Sequence, residues 1–206
     1  MSELERAVEV MDRLRSPGGC PWDAEQTHAS LARYLLEETY ELLEAIETDD
    51  LDLLREELGD LLLQVLFHAR LTQELPAGEA FGIEEVAGDL ADKLVRRHPH
   101  VFGDASAGDA AELNETWERQ KIDEKGRKSA TDGVPLAQPA LALSAKLVSR
   151  ARRAGLDVEP APTSPIGEQL FAVVRRAVAD GVDPETALRE TARAYRAAIL
   201  AAEGAT

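Results

Sequence analysis

Two groups of carboxylates stand close together in this chain. Glu37-Glu38-Thr39-Tyr40-Glu41 is followed, after a break at Thr48-Asp49-Asp50, by Glu56-Glu57-Leu58-Gly59-Asp60. Glu38 and Glu41 are three residues apart, as are Glu57 and Asp60, so on helices each pair projects from one face. The register carries further information. Leu31, Leu35, Glu38, Leu42 and Ala45 step by four and three, and so do Leu53, Glu57, Asp60, Gln64 and Phe67. Both stripes place carboxylates in line with apolar residues, on or beside inward faces. Four carboxylates gathered there repel one another and lose hydration, which only a shared proton or a cation relieves. An all-oxygen donor set selects a hard cation. An open set with room for water and phosphates suits Mg²⁺, with Mn²⁺ as a substitute.

The elements that must position these groups read as helices. Glu3 to Arg15 carries one apolar face and ends at Pro17-Gly18-Gly19, where Pro21 is expected to prevent an immediate restart. A second helix is predicted over about 27–47 and a third over about 51–74. Asp49 or Asp50 caps the third, and so short a connection makes the two antiparallel neighbours. A fourth spans about 83–97, closed by Pro99, with His98 and His100 in a turn. A fifth, strongly charged, covers about 110–125. After a Gly- and Pro-bearing linker at 126–139, helices fit 140–154, 166–179 and 184–202, with Asp183 capping the last ahead of Pro184. No segment alternates with period two, so the fold class is all-α.

Basic residues recur where a phosphate ligand needs them. Lys93 and Arg97 share a face at i, i+4, and so do Trp117 and Lys121. Cations suit phosphates and a flat indole suits a nucleobase. Lys and Arg total 23 against 39 Asp and Glu, a net charge of −16 that disfavours nucleic-acid polymers and anionic membranes. The single cysteine, Cys20, excludes an internal disulfide and a Cys-based zinc cluster. The first residues show neither a basic nor an apolar leader region, and no apolar run approaches a membrane span. A cytoplasmic protein without membrane partners is expected.

Several motifs in order carry a family resemblance. Gly19-Cys20-Pro21-Trp22-Asp23 with Glu25-Gln26-Thr27-His28, then Leu36-Glu37-Glu38-Thr39-Tyr40-Glu41, Glu57-Leu58-Gly59-Asp60-Leu61-Leu62, Arg96-Arg97-His98-Pro99-His100-Val101-Phe102 and Trp117-Glu118 resemble the MazG nucleoside triphosphate pyrophosphohydrolases. The resemblance runs over about residues 3–125. It implies an all-α bundle, usually a homodimer, that binds Mg²⁺ through Glu38, Glu41, Glu57 and Asp60. It also implies nucleotide contacts from Lys93, Arg97, Trp117 and Lys121.

Three parts are therefore expected: a catalytic helical domain at 1–125, the linker at 126–139, and a truncated second repeat at 140–206. Gly167-Glu168-Gln169-Leu170-Phe171 echoes Gly59-Asp60-Leu61-Leu62-Leu63, but no Glu-Glu-x-x-Glu helix precedes it. The expected activity is Mg²⁺-dependent hydrolysis of nucleoside triphosphates to monophosphate and pyrophosphate, clearing non-canonical or surplus nucleotides. Glu38 or Glu41 would orient the attacking water. The rival reading is a non-catalytic helical regulator that binds a nucleotide or a partner protein.

Overall fold

The computed structural model describes residues 1–103, 113 and 128–204, and among them every regular element is helical. The chain divides into two compact units, Met1–Asp109 and Ala110–Thr206. Trp117 and Lys121 lie outside the described residues.

In the first unit, α1 (Glu3–Arg15) starts at a capping box in which Ser2 accepts from the Glu5 backbone N–H and Glu5 accepts from that of Ser2. α2 (Pro21–Glu25) follows at once. Pro21 therefore begins a helix where a break was expected. At the first helical position its missing N–H is one that no helix would use, and its fixed φ already suits the turn. The entry is tight. Gly18 has φ +78°, and a Cβ on Gly19 would collide with the carbonyl oxygens of Leu14 and Arg13.

α3 (His28–Glu47) and α4 (Leu51–Thr72) form the central antiparallel hairpin. Thr27 caps α3 through the Ser30 N–H, and Asp50 caps α4 by accepting from the N–H groups of Asp52 and Leu53. Asp49 turns the chain at φ +54°, a conformation that Asp tolerates better than most residues. α5 (Ile83–Arg97) packs back on α4, and the single turn α6 (Pro99–Phe102) follows. α6 again opens on a proline, at the place the sequence suggested only a turn.

The core lies where α1 crosses the hairpin: Met11, Leu31, Leu66, Phe67 and Leu71. Trp22 meets the Tyr34 and Phe67 rings edge-on at 5.9 and 6.5 Å between centroids. The Gly-Cys-Pro-Trp-Asp motif thus serves to pin α2 onto the hairpin. An ion network closes the same end. Arg15, its side chain buried, holds both Glu74 oxygens at 2.7 and 3.0 Å, and Arg70 bridges Glu74 and Asp12.

The second unit holds α7 (Ala140–Arg153), α8 (Pro165–Ala179) and α9 (Pro184–Glu203) in mutual contact. Asp183 caps α9 through the Thr186 N–H at 3.2 Å, ahead of Pro184, as expected. No helix among the described residues is long and apolar enough to cross a membrane.

The Arg15 hydrogen bond, with the charges of Arg15 and Arg70, holds the Glu74 carboxyl below its ordinary range. A lowered carboxyl pKa contributes stability above the unfolded value, and that stability is lost as pH falls through the folded value. Glu74→Gln should therefore cost about 1 kcal/mol at pH 7, a figure held down by the exposure of Glu74 to water. Urea titrations from pH 7 to pH 3 should show the gap from wild type closing in the acid range.

Candidate metal centre

The antiparallel pairing of α3 and α4 sets Glu41 across from Glu57 and Glu38 across from Asp60. One oxygen each from Glu38, Glu41 and Glu57 lies within 4.8 Å of the other two. Glu57 is buried at 7% exposure, Glu38 and Asp60 are half-buried, and Glu41 is exposed. The stripes read from the sequence are visible in part. On α3, Leu31 and Ala45 are buried on either side of Glu38, while Leu35 is exposed; on α4, Gln64 and Phe67 are buried beyond Glu57 and Asp60.

The electrostatics follow from this placement. Burial pushes the Glu38 carboxyl above its ordinary value, and the charges of Asp60, Glu41 and Glu57 push it further, as does a hydrogen bond with Glu41. Glu57 is raised by burial, then by Glu41, Asp60 and Glu56. Asp60 therefore belongs to the same electrostatic group as the three clustered glutamates. The Glu57 Oε2 is buried without a hydrogen-bond partner. A buried carboxylate oxygen facing only other carboxylates lacks a positive partner, and a hard divalent cation fits that need.

Lys93 and Arg97 stand half-buried, one helical turn apart, near the C-terminal end of α5. The structure thus gathers Glu38, Glu41 and Glu57 on the hairpin, with Asp60 near enough to act on them by its charge, and keeps these two cations together on a separate helix. His98 bonds the Leu94 carbonyl oxygen at 2.6 Å, which fits the structural role expected of that turn. Sequence reading left His28 and His68 without a role, yet they stack at 5.0 Å between ring centroids with their Nδ1 atoms 2.7 Å apart. Forty residues separate them, and only the register of the hairpin brings them together.

Residues 26–102 match the model of the MazG nucleotide pyrophosphohydrolase domain. A nucleoside triphosphate pyrophosphohydrolase/pyrophosphatase MazG of Thermotoga maritima is 39% identical over 93% of this chain and 82% of that protein. The chain belongs to the MazG family. An uncharacterized 26.1 kDa protein of Streptomyces cacaoi is 57% identical over 98% of the chain and 84% of its own length. The nucleoside triphosphate pyrophosphohydrolase of Mycobacterium tuberculosis is 48% identical over 90% of the chain. The chain spans 54% of that relative and 60% of the Escherichia coli K12 pyrophosphohydrolase, to which it is 46% identical. All four carboxylates, with Lys93 and Arg97, fall inside the matched MazG segment.

The raised Glu57 carboxyl has a measurable consequence. Its stabilising contribution is full below the unfolded value, about 4.3, and is lost as pH rises through the raised folded value. Without divalent cations, Glu57→Gln should therefore equal or exceed wild type in melting temperature at pH 7.5. The difference should shrink toward pH 4.5, as read by thermal melts across that range in chelator.

Proposed function

We propose that this chain hydrolyses nucleoside triphosphates to the monophosphate and pyrophosphate, with Mg²⁺ held by Glu38, Glu41, Glu57 and Asp60. The observation that carries the reading is the cluster of Glu38, Glu41 and Glu57 on the α3–α4 hairpin, in which the Glu57 Oε2 is buried without a hydrogen-bond partner, within a chain of the MazG family. A bound Mg²⁺ supplies Lewis acidity to the phosphoryl oxygens and offsets charge on the departing pyrophosphate. The protein's part is to hold and orient. Glu57 and Asp60 are fixed by α4, and Glu38 and Glu41 face them from α3. Glu38, with its raised proton affinity, is suited to accept a proton from an attacking water, and Glu41 to share that hydrogen bond. Lys93 and Arg97 are assigned to the phosphate tail. Trp117 and Lys121, outside the described residues, are assigned to the base and phosphates. The role we assign to this turnover is removal of non-canonical or surplus nucleotides.

The second unit is proposed to be a partial repeat retained for packing. Glu168, the counterpart of Asp60, accepts a hydrogen bond from the Thr163 backbone N–H at 2.9 Å near the start of α8. Its carboxylate is thus engaged by the backbone.

Assembly as a homodimer is proposed from the apolar surface that the hairpin leaves uncovered: Leu58, Leu62, Leu63 and Val65 are each exposed by 38% or more. Leu66, which with Leu43 and Leu62 the sequence would also offer to a partner, is instead buried in the protomer's own core. Obligate dimers bury such faces. Light scattering at micromolar concentration should give twice the chain mass, and a monomer would refute the assembly.

The central test is pyrophosphate release from nucleoside triphosphates. Turnover should require Mg²⁺ or Mn²⁺ and stop in excess chelator. Binding without turnover would support the regulator instead. Glu41→Gln keeps the side-chain shape and removes one crowded charge, so apo stability should hold or rise. Turnover should fall ~100-fold or more, because charge stabilisation worth several kcal/mol is lost. The Mg²⁺-induced rise in wild-type melting temperature should shrink in the same variant. A solvated surface glutamate would change none of these.

A further inference from the structure

The second unit leaves open a space that the first unit fills. In the register that sets Gly167 on Gly59, Val174 falls on Leu66, Arg175 on Phe67 and Ala179 on Leu71. α7 packs on α8 as α1 packs on α4. Leu66 and Val174 are both buried, so α4 and α8 turn the same face inward. The likeness stops at the next two positions. In the first unit Phe67 and Leu71 share the core with Leu31 of α3. Between α7 and α8, residues 154–164 form no helix, and Arg175 and Ala179 line a cavity of about 640 Å³ instead. That size lies within the range of small-molecule sites, about 300–1,000 Å³.

The walls of this cavity are tied in place by three arginines. Arg150 donates to the carbonyl oxygens of Ala130 at 3.3 Å and Asp132 at 2.7 Å, which fixes the 129–131 wall to α7. Arg152 donates to the Val178 carbonyl oxygen at 3.1 Å and joins α7 to the last turn of α8. Arg175 pairs with Glu159 and stands 3.8 Å from Asp157, which holds the 157–159 segment to α8. A hollow forfeits packing contacts, and a chain free to close it gains them. Here the tied walls preorganise the space instead.

We infer that this cavity binds a small amphipathic anion, an apolar body ending in a carboxylate or phosphate, at a site made wholly of second-unit residues. Leu147, Val148 and Phe171 line it with apolar surface, which calls for an apolar body. The head group is set by the polar lining. Beyond its bond to Val178, the guanidinium of Arg152 has no further partner among the described residues, and its planar fork matches a carboxylate or phosphate. The ion pairs of Arg175 are made with exposed carboxylates, and such pairs are weak enough to yield to another anion. The Ser129 and Thr131 hydroxyls stand 2.9 Å apart; their mutual bond uses one O–H and leaves the other to donate. A docked helix in the place of α3 fits less well. It would gain from Phe and Leu on α8, where this chain has Arg175 and Ala179.

The test is isothermal titration calorimetry of the whole chain with octanoate, octyl phosphate and 1-octanol, each below its micellar or solubility limit. Wild type should bind at least one of the two anions saturably and one-to-one, about tenfold or more tighter than 1-octanol. The tighter anion identifies the head group. Arg152→Gln keeps a donor for Val178 but removes the charge; it should abolish the preference for the anion and leave 1-octanol unchanged. Ala179→Phe fills the cavity from an exposed position; it should weaken all three ligands while melting at or above the wild-type temperature. Equal affinity of wild type for 1-octanol and the anions would refute the assigned head group. Anion binding unchanged in both variants would put the ligand elsewhere and overturn the pocket. No saturable binding of either anion would overturn it outright.

Discussion

Crowding of negative charge in the seam of one helical hairpin is the constraint on which this structure depends. Glu57 is buried among groups of its own sign, and Glu38 is half-buried beside it. Left alone, such an arrangement favours splaying the two helices apart, since separation restores hydration and relieves repulsion. Something else must hold α3 and α4 together. That work falls to the ends of the seam. Ala45 is sealed near the turn, where Asp50 and Thr48 tie down the backbone. At the far end Leu31 and Phe67 close against Met11 of α1. The site is a strained middle between two secured ends.

The far end is held with more devices than the turn. Trp22 lies edge-on against Phe67, Arg15 sits over the same ring at 5.9 Å, and Arg15 also binds Glu74 and the Asp23 carbonyl oxygen. One guanidinium thus joins α1, the middle of α2 and a residue two positions past the end of α4. Arg serves here because its planar fork satisfies several acceptors at once while its face rests on an aromatic ring. The same contacts give the Gly-Cys-Pro-Trp-Asp motif a physical purpose distinct from chemistry: it locks the hairpin that carries the carboxylates.

The long helices and the carboxylate register were legible because both follow from a 3.6-residue period over twenty positions or more. Within that register the depth of each carboxylate was not legible. Glu57 is buried and Glu38 only half-buried, although both fit their stripes, because depth depends on how neighbouring helices cover each flank. The short helices α2 and α6 escaped for a different reason. Each begins at a proline, Pro21 and Pro99, and proline signals both a stop and a start depending on the chain around it. The His28–His68 pair was hidden by sequence distance, since it depends on the pairing register of two helices. A signal was present all the same: His68 lies four residues beyond Gln64 and eight beyond Asp60, on a face already singled out.

Seen along its axis, α4 changes character in steps that match what each level touches. Glu57 and Asp60 meet carboxylates, Gln64 lines a cavity with a neutral amide, and Phe67 and Leu71 enter the core. The order runs from charged to neutral polar to apolar. A helix built only for stability would not place Glu and Gln on the face that continues into its core, because leucine there would bury more apolar area and leave no orphaned oxygen. The three buried side-chain atoms that lack a hydrogen-bond partner among the described residues, Glu57 Oε2, Gln64 Oε1 and His68 Nε2, all lie on α4, within about three turns. Stability has been given up at three positions on one helix, at a carboxylate, an amide and an imidazole.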